Sequence, residues 1–390
     1  MSKTASQILG NPECQAISYG GYRTGTRDDQ PTVAQIMEDM KILHAMGIRI
    51  VRDYNVQMPH AENVCKAIRE IQKEDPTFEM YMMLGAWIDC LNAWTDREPD
   101  HYIEATQANA SEIQRAVDLT NEYPDIIKVI AVGNEAMVRW ATSYYVQPAV
   151  ILKWVNHLQH MKQSGDLPHD LWITCSDDFL SWGGGDASYR THDLEQIIKA
   201  VDYVSMHTYP MHNSHYNPHF WLVPESEATL SDRAKIEAAM LRAKQFVIDQ
   251  YRSVQAYVNS ISPGKPVHIG ESGWASVCSD NYGADGSRAA DEYKEGLYYQ
   301  HIRQWTNDNH ISCFFFEAFD ECWKDAGNPE GSENHFGLIN LDGEAKYGLW
   351  DMVDSGVFEG LTRDGKAITK TYKGKEEALM KDVAVPPTHY

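Results

Sequence analysis

Several motifs that indicate common functions are missing from this sequence of 390 residues. None of its seven cysteines forms a Cys-x-x-Cys pair, and their odd number and spacing match no zinc-binding pattern. No glycine-rich phosphate-binding motif follows an early strand-like run, and no apolar stretch reaches the length of a membrane span. The cysteines therefore fit buried free thiols in a reducing compartment.

A signal peptide is also missing, because no basic N-terminal segment is followed by an apolar run. We expect a cytoplasmic location for the chain as given. If a leader has been removed, a periplasmic or secreted location is expected instead.

Positive charge is scarce, with 34 Lys and Arg against 56 Asp and Glu and a formal net charge of −22. Nucleic acids and anionic membrane surfaces are polyanions, so we expect neither as a partner. The acidic residues are spread along the chain without a long block, which is typical of a solubilising surface. No pattern indicates an oligomeric state.

The sequence does contain a regular alternation of strand-like and helical segments. Eight runs of apolar, β-rich composition are predicted strands, at 15–22, 49–54, 79–86, 128–132, 171–175, 203–207, 266–269 and 312–316. Helical periodicity predicts helices at 33–46, 61–72, 105–123, 147–163, 192–200, 230–260 and 289–307, and part of another at 349–353.

Eight such units predict an α/β fold, a single-domain (β/α)8 TIM barrel. Residues 1–13 are predicted as a polar lead-in, 14–350 as the catalytic barrel and 351–390 as a tail packed on the barrel. An open doubly wound sheet is the alternative, and the missing phosphate-binding motif weakens it.

Two of the predicted buried strands run into a glutamate. The apolar run 129–132 leads into Gly133-Asn134-Glu135, and the run 266–269 leads into Gly270-Glu271. In a barrel the catalytic groups gather at the carboxyl ends of the strands, and the fourth and seventh strands lie on opposite sides. The two glutamates can therefore face each other across a groove, as cleavage of a glycosidic bond by two carboxyl groups requires.

Other strand ends carry side chains suited to sugar binding. Aromatic rings can stack on sugar faces, while amides and charged groups bind hydroxyls. The sequence has 11 Trp and 21 Tyr, although most of these are expected to pack in the core or at the rim. The predicted substrate-binding residues are Tyr19, Arg52, Tyr54, Asn134, His207, Tyr209, Trp274, Phe319, Glu321 and Lys324.

Two clusters raise the possibility of a metal site. His207, His212, His215 and His219 fit no standard zinc spacing, so a loop that contacts substrate or solvent is preferred. Asp177-Asp178 lacks a calcium-loop pattern and is interpreted as a polar subsite. We expect no metal and no cofactor.

Three motifs together resemble glycoside hydrolase family 17. They are Val132-Gly133-Asn134-Glu135, Gly270-Glu271-Ser272-Gly273-Trp274-Ala275-Ser276 and Phe316-Glu317-Ala318-Phe319-Asp320-Glu321-Cys322-Trp323-Lys324. The segments 16–23 and 335–338 also resemble bacterial and fungal members, so the likeness covers roughly residues 15–345.

The resemblance implies retaining hydrolysis or transfer on β-1,3-glucans, with Glu135 as acid/base and Glu271 as nucleophile. It also implies supporting roles for Asn134, Tyr209, Glu321 and Lys324. The sequence departs from the family at Ser272, Ala275 and Cys322, where Thr, Pro, and Pro or Asn are usual. These departures put subsite detail in doubt rather than the reaction.

Three alternatives to a β-1,3-glucan hydrolase stay open. They are a β-1,3-glucanosyltransferase, a barrel hydrolase acting on β-1,4 linkages and a non-catalytic glucan-binding barrel. The presence of both Glu135 and Glu271 favours an enzyme over the last of these.

Overall fold

The computed structural model describes residues 2–389 and contains a closed barrel of eight parallel strands. The order around the barrel follows the chain, and β1 closes it by pairing with β8, Ala16 beside Phe314. The barrel strands are β1 Gln15–Ser18, β2 Ile48–Arg52, β3 Tyr81–Ala86, β4 Ile127–Asn134, β5 Trp172–Asp178, β6 Val204–His207, β7 Val267–Gly273 and β8 Cys313–Phe316. The predicted (β/α)8 TIM barrel is confirmed.

Helices surround the barrel because their apolar faces pack against the outside of the strands. They are α1 Ala5–Ile8, α2 Val33–Ala45, α3 His60–Glu74, α4 Thr106–Glu122, α5 Pro148–Ser164, α6 His192–Ala200, α7 Pro210–Tyr216, α8 Asp232–Ile261, α9 Glu292–Asp308, α10 Trp350–Asp354 and α11 Glu376–Leu379. Side-chain caps fix several starts: Thr32 accepts from the Gln35 N–H at α2, and Ser231 accepts from the Ala234 N–H at α8. In residues 2–389 no helix combines the length and hydrophobicity that crossing a bilayer requires.

Three strands extend further than their apolar runs predict. β4 ends at Asn134, β5 at Asp178 and β7 at Gly273, so polar residues belong to the strand ends themselves. Parallel barrel strands are buried on both faces, and β7 is buried along its whole length. The hydrogen-bonded barrel strands therefore fix the backbone that carries these polar side chains.

The segment before β1 contains a helix as well as polar residues. Ala5 and Ile8 of α1 are fully buried and pack with Ala16, Ile50 and Phe314 of the barrel strands. The segment thus covers the barrel end opposite the carboxyl ends of the strands.

The tail beyond α10 packs on the barrel, as predicted, while the proposed domain limits stay a prediction. A short hairpin, Thr362–Arg363 and Lys366–Ala367, lies against α2. Arg363 is 1% exposed, and its Nε donates to Asp39 Oδ1 at 3.1 Å. Asp39 also accepts from Tyr19 Oη (2.9 Å) and pairs with Arg23 (2.8 Å). This buried cluster joins the tail to the carboxyl end of β1.

The seven cysteines are all free, five of them buried and two half-buried. The buried cysteines lie in strands, in α3 and in loops, and they fit the buried free thiols that the sequence predicts.

Candidate active site

The carboxyl ends of the strands open into one cleft with two lobes. The aromatic lobe, about 790 Å³, is lined by Glu135, Trp140, Asp178, Phe179, Tyr209, His212, Asn213, Tyr216, Tyr282 and Phe336, among others. The polar lobe, about 690 Å³, is lined by Tyr19, Tyr22, Arg27, Asp53, Tyr54, Trp87, Asp89, Trp94, Asn134, Glu317, Glu321, Trp323 and Lys324, among others. The two lobes share Glu271, Phe316 and Glu333, so they meet beside Glu271.

Glu135 reaches the cleft through a tight turn at the end of β4. Gly133 has φ 78°, and a side chain there would crowd Ala136. Glu135 itself has φ 47°, a left-handed conformation that is strained for a residue with a side chain. Its N–H donates to Ser176 O at 2.9 Å, which holds the turn against β5. The Gly-Asn-Glu sequence thus aims this carboxyl group.

Glu271 is held from both sides of its carboxylate. Arg52 Nη1 donates to Oε1 at 2.9 Å, and Tyr209 Oη donates to Oε2 at 2.7 Å. Glu271 is 6% exposed, so neither bond competes with bulk water. The carboxylate is therefore fixed at the junction of the two lobes.

Burial and the neighbouring Glu271 charge raise the pKa of Glu135 well above its ordinary value. Burial also opposes ionisation of Glu271, yet its pKa is lowered by the Nδ1 side of the His207 ring, by the Arg52 guanidinium and by the hydroxyls of Tyr209 and Tyr54. Two carboxyl groups whose pKa values are pushed apart suit an acid and a nucleophile.

His207 bridges the two glutamates. Its Nδ1 lies 3.0 Å from Glu135 Oε1 and 3.6 Å from Glu271 Oε2. Its Nε2 lies 3.3 Å from Arg52 Nη1, and because arginine can only donate, Nε2 accepts and Nδ1 carries the proton. Burial lowers the pKa of His207 to about 4, so the ring is neutral at pH 7 and Arg52 supplies the positive charge there.

The same three residues could in principle hold a cation. One ligand atom each from Glu135, His207 and Glu271 lies within 4.8 Å of the others. However, Arg52 already neutralises Glu271 at 2.9 Å, and a second cation would be repelled by it. The donor set therefore fits the guanidinium better than a metal ion.

Arg52 also orients Asn134. Arg52 Nη2 donates to Asn134 Oδ1 at 2.6 Å, which leaves the amide N–H groups of Asn134 free to face the polar lobe. Arg52 is 1% exposed and His207 is fully buried. These two predicted substrate-binding residues lie behind the carboxylates and position them.

A charged group after β8 forms the wall of the polar lobe. Lys324 Nζ lies 2.5 Å from Glu317 Oε1 and 3.6 Å from Glu321 Oε2. Glu321 also accepts from Trp323 Nε1 (2.8 Å) and the Tyr22 N–H (3.3 Å). Burial raises the pKa of Glu317 well above its ordinary value, against the effect of Lys324. Glu317 was not predicted as a site residue, although its place directly after β8 is a usable signal.

Residues 16–337 match the BtgE/BtgC glycoside hydrolase domain. The chain belongs to this family. The match spans the barrel from β1 to the loop beyond β8 and includes the glutamates and the charged wall of the polar lobe.

Comparison with individual proteins supports this family assignment. The crystal structure of an endo-laminarinase from Formosa Hel1_33_131 is 62% identical, with a TM-score of 0.98 over 100% of this chain and 98% of that one. A protein of Aspergillus niger named as a glucan endo-1,3-beta-glucosidase, btgC, is 24% identical over 331 residues. That match covers 82% of this chain but 40% of the relative, so the chain spans less than half the length of this curated relative.

A more distant structure shares the fold alone. The glycoside hydrolase family 17 β-1,3-glucanosyltransferase from Rhizomucor miehei is 18% identical, with a TM-score of 0.59 over 86% of this chain and 96% of that one.

Two predicted substrate-binding aromatic residues do not reach the cleft. Trp274 is fully buried: its Nε1 donates to Ala289 O at 2.8 Å, and its ring packs on Tyr298. Phe319 is 1% exposed and lies under the Arg363 guanidinium, 4.1 Å from the ring centroid. The structure corrects both predictions, because these rings pack the outer wall behind the site.

The other predicted residues are at or near the cleft. Tyr54, Tyr209, Glu321 and Lys324 line it directly. Tyr19 borders the polar lobe, but its hydroxyl is turned away to Asp39.

The two polar clusters after β5 and β6 also contribute. Asp177 Oδ2 accepts from the Met137 N–H at 2.7 Å and so holds the loop after Glu135, while Asp178 faces the aromatic lobe. Burial raises the pKa of Asp178 to about 8. His212 faces the aromatic lobe and stacks on Tyr209, with ring centroids 5.0 Å apart.

Several exposed aromatic residues that line the cleft carry no sequence signal, because they lie in loops or at a helix end rather than at strand ends. Trp94, Trp140 and Tyr216 are 61%, 57% and 66% exposed, and each lines one lobe. Only the richness of the sequence in aromatic residues points to them.

Proposed function

We propose that this protein is a retaining glycoside hydrolase of family 17 that cleaves internal β-1,3 linkages of laminarin-type glucans. The observation that carries the proposal is the glutamate pair at the junction of the two lobes. The 62% identity to an endo-laminarinase over the whole chain supports the linkage and the internal cleavage.

The chemistry follows from the two environments. Glu271, kept ionised by Arg52 and Tyr209, attacks the anomeric carbon as the bond to the leaving oxygen breaks, and Glu135 gives its proton to that oxygen. Water then loses a proton to Glu135 and attacks the same carbon, which frees Glu271. Two inversions return the β configuration.

The spacing of the pair supports retention. Retaining enzymes hold their carboxyl groups ~5–5.5 Å apart and inverting enzymes ~6.5–9.5 Å apart. One carboxylate oxygen of Glu135 lies within 4.8 Å of one of Glu271, which is closer than the range for inverting pairs.

The lining of the lobes orients the substrate. Glu135 lines the aromatic lobe and Asn134 lines the polar lobe. The acid must face the leaving oxygen, so the leaving chain lies in the aromatic lobe. The sugar that forms the covalent intermediate lies in the polar lobe, where the Asn134 amide donates to a hydroxyl and tightens its hold in the transition state.

Time-resolved NMR of laminarin hydrolysis tests the proposal. We expect medium-length oligosaccharides early in the reaction, with the β-anomer as the first product. Glu271→Ala should lose roughly 10⁴-fold or more in turnover, and added azide should restore part of it and yield an α-glycosyl azide. An early α-anomer, or wild-type turnover in the variant, would contradict the proposal.

A further inference from the structure

A second groove lies beyond the polar lobe, on the side of Glu271 away from the aromatic lobe. Trp94 lines both this lobe and a separate outer groove of about 500 Å³. The other residues that line the groove are Thr95, Glu98, Pro99, His101, Thr142 and Ser143. Trp94 is the side chain that the two hollows share, so a chain that leaves the polar lobe passes over its ring.

The indole is held in place although it is 61% exposed. Its Nε1 donates to Asp89 Oδ1 at 3.0 Å, and its ring stacks on Tyr144 with centroids 5.0 Å apart and planes at 22°. The backbone at Trp94 has φ 60°, a left-handed conformation that costs free energy for a bulky residue. Strain and exposure together indicate a ring kept at the surface for contact with a ligand.

The groove beyond Trp94 has the chemistry of a sugar site. The indole offers a flat apolar face, and the threonine, serine and glutamate side chains offer hydroxyl and carboxylate partners. His101 Nδ1 lies 2.8 Å from Tyr145 O, and because a carbonyl only accepts, Nδ1 carries the proton. In a neutral ring Nε2 is then an acceptor for a sugar hydroxyl.

We infer that Trp94 and this outer groove form a distal subsite for sugar units of the glucan that lie beyond the polar lobe. The inference rests on the proposed function, which places the non-leaving part of the chain in that lobe. The subsite makes the protein selective for longer chains.

Chain-length dependence tests the subsite, with Trp94→Ala compared with Tyr102→Ala. The short strands Cys90–Leu91 and Asp100–Glu104 form a hairpin whose loop carries Trp94. Tyr102 lies on its second strand and is 82% exposed, but it lines neither the cleft nor the groove. On a series of β-1,3-gluco-oligosaccharides, the loss of kcat/KM in Trp94→Ala should grow with length, from under about threefold to about tenfold. Tyr102→Ala should follow the wild type at every length, and Trp94→Phe should recover most of the loss.

Affinity for laminarin, measured by calorimetry in a Glu271→Gln background, gives a readout independent of turnover. We expect Trp94→Ala to weaken binding about tenfold and Tyr102→Ala to leave it unchanged. A loss that is the same at all lengths, or equal in the two variants, would overturn the subsite. If the wild type binds laminarin through Trp94 but does not hydrolyse it, the subsite stands and the proposed function fails.

Discussion

The two lobes of the cleft are built from different chemistry around one glutamate. The polar lobe has buried charges bonded to each other, with Lys324 between Glu317 and Glu321. The aromatic lobe has rings at its rim, and Trp140 and Tyr216 are more than half exposed. Both lobes carry aromatic rings, and the polar lobe differs in having the buried ion pairs of Lys324 in its wall.

This difference matches what each side of a glycosidic bond requires. The sugar that reacts must be oriented through its hydroxyls, because a small misplacement costs much of the rate. The leaving chain must be bound and then released, and stacking on exposed rings is weaker and less directional than charged hydrogen bonds. We expect substitutions in the Lys324 charge cluster of the polar lobe to change kcat, and substitutions of the exposed rings at the rim of the aromatic lobe to change KM.

After loss of Glu271, loss of Glu135 should give the largest effect, and the choice of substrate should distinguish the two glutamates. We expect Glu135→Ala to lower laminarin turnover by ~10³–10⁴-fold, while a dinitrophenyl β-glucoside of suitable length still gives a rapid burst, since its leaving group needs no proton. Azide should then speed turnover and yield a β-glycosyl azide.

Glu321→Ala is the matched control for that assignment. Its carboxylate supports Trp323 and the Tyr22 backbone, so its removal should depress both substrates alike. If Glu321→Ala lost activity on laminarin only, and Glu135→Ala lost activity equally on both substrates, Glu321 would be the acid and Glu135 the supporting residue.

The next largest effect is expected when the positive charge of Lys324 is removed from the polar lobe. Lys324→Met leaves Glu317 and Glu321 buried without their counterion, and we expect kcat/KM to fall ~100-fold, mostly through kcat. Arg27→Met is the control, because Arg27 lines the same lobe but lies over the Trp323 ring, 4.5 Å from its centroid. If both variants lost activity equally, the ordered charge cluster would not be what orients the sugar.

The pH dependence of kcat/KM tests the difference between the pKa values of Glu271 and Glu135. From the proposed roles we expect the acid limb of kcat/KM to follow ionisation of Glu271, whose pKa lies below the ordinary 4.5, and the alkaline limb to follow loss of the Glu135 proton. Tyr209→Phe removes the 2.7 Å bond to Glu271, so the acid limb should move up by about one pH unit, with roughly tenfold lower kcat. The alkaline limb should move less. A shift of the alkaline limb alone would contradict these assignments.

The smallest effect is expected at the rim of the aromatic lobe. Tyr216→Ala should raise KM about three- to fivefold at nearly constant kcat and lower the share of transglycosylation products, since Tyr216 lines the lobe in which we propose that acceptor sugars bind. Leu241→Ala, on α8 and 49% exposed, should change neither quantity. A fall in kcat at constant KM would mean that the aromatic lobe orients the reacting bond.

The sequence predicted the parts of the site that the strands determine. Apolar runs that end in Gly-Asn-Glu and Gly-Glu predict the positions of Glu135 and Glu271, because the carboxyl ends of all barrel strands lie at the same face of the barrel. Trp274 shows the limit: it follows β7 directly, but its side chain turns outward to Ala289 O, and only tertiary packing decides that direction. Trp94 shows another limit, since the loop conformation that exposes it leaves no periodic pattern.

The cluster of Asp39 and Arg363 has a consequence for the order in which the molecule is made. The two residues are 324 positions apart, and β1 likewise closes the barrel only against β8. During synthesis of the chain, the edge of β1 lacks β8, and Asp39 has its partners Tyr19 and Arg23 but not yet Arg363. Tyr19 and Arg23, beside the polar lobe, are fixed through Asp39. The polar lobe therefore reaches its final form only after residue 363 has left the ribosome, although most of its lining residues emerge earlier.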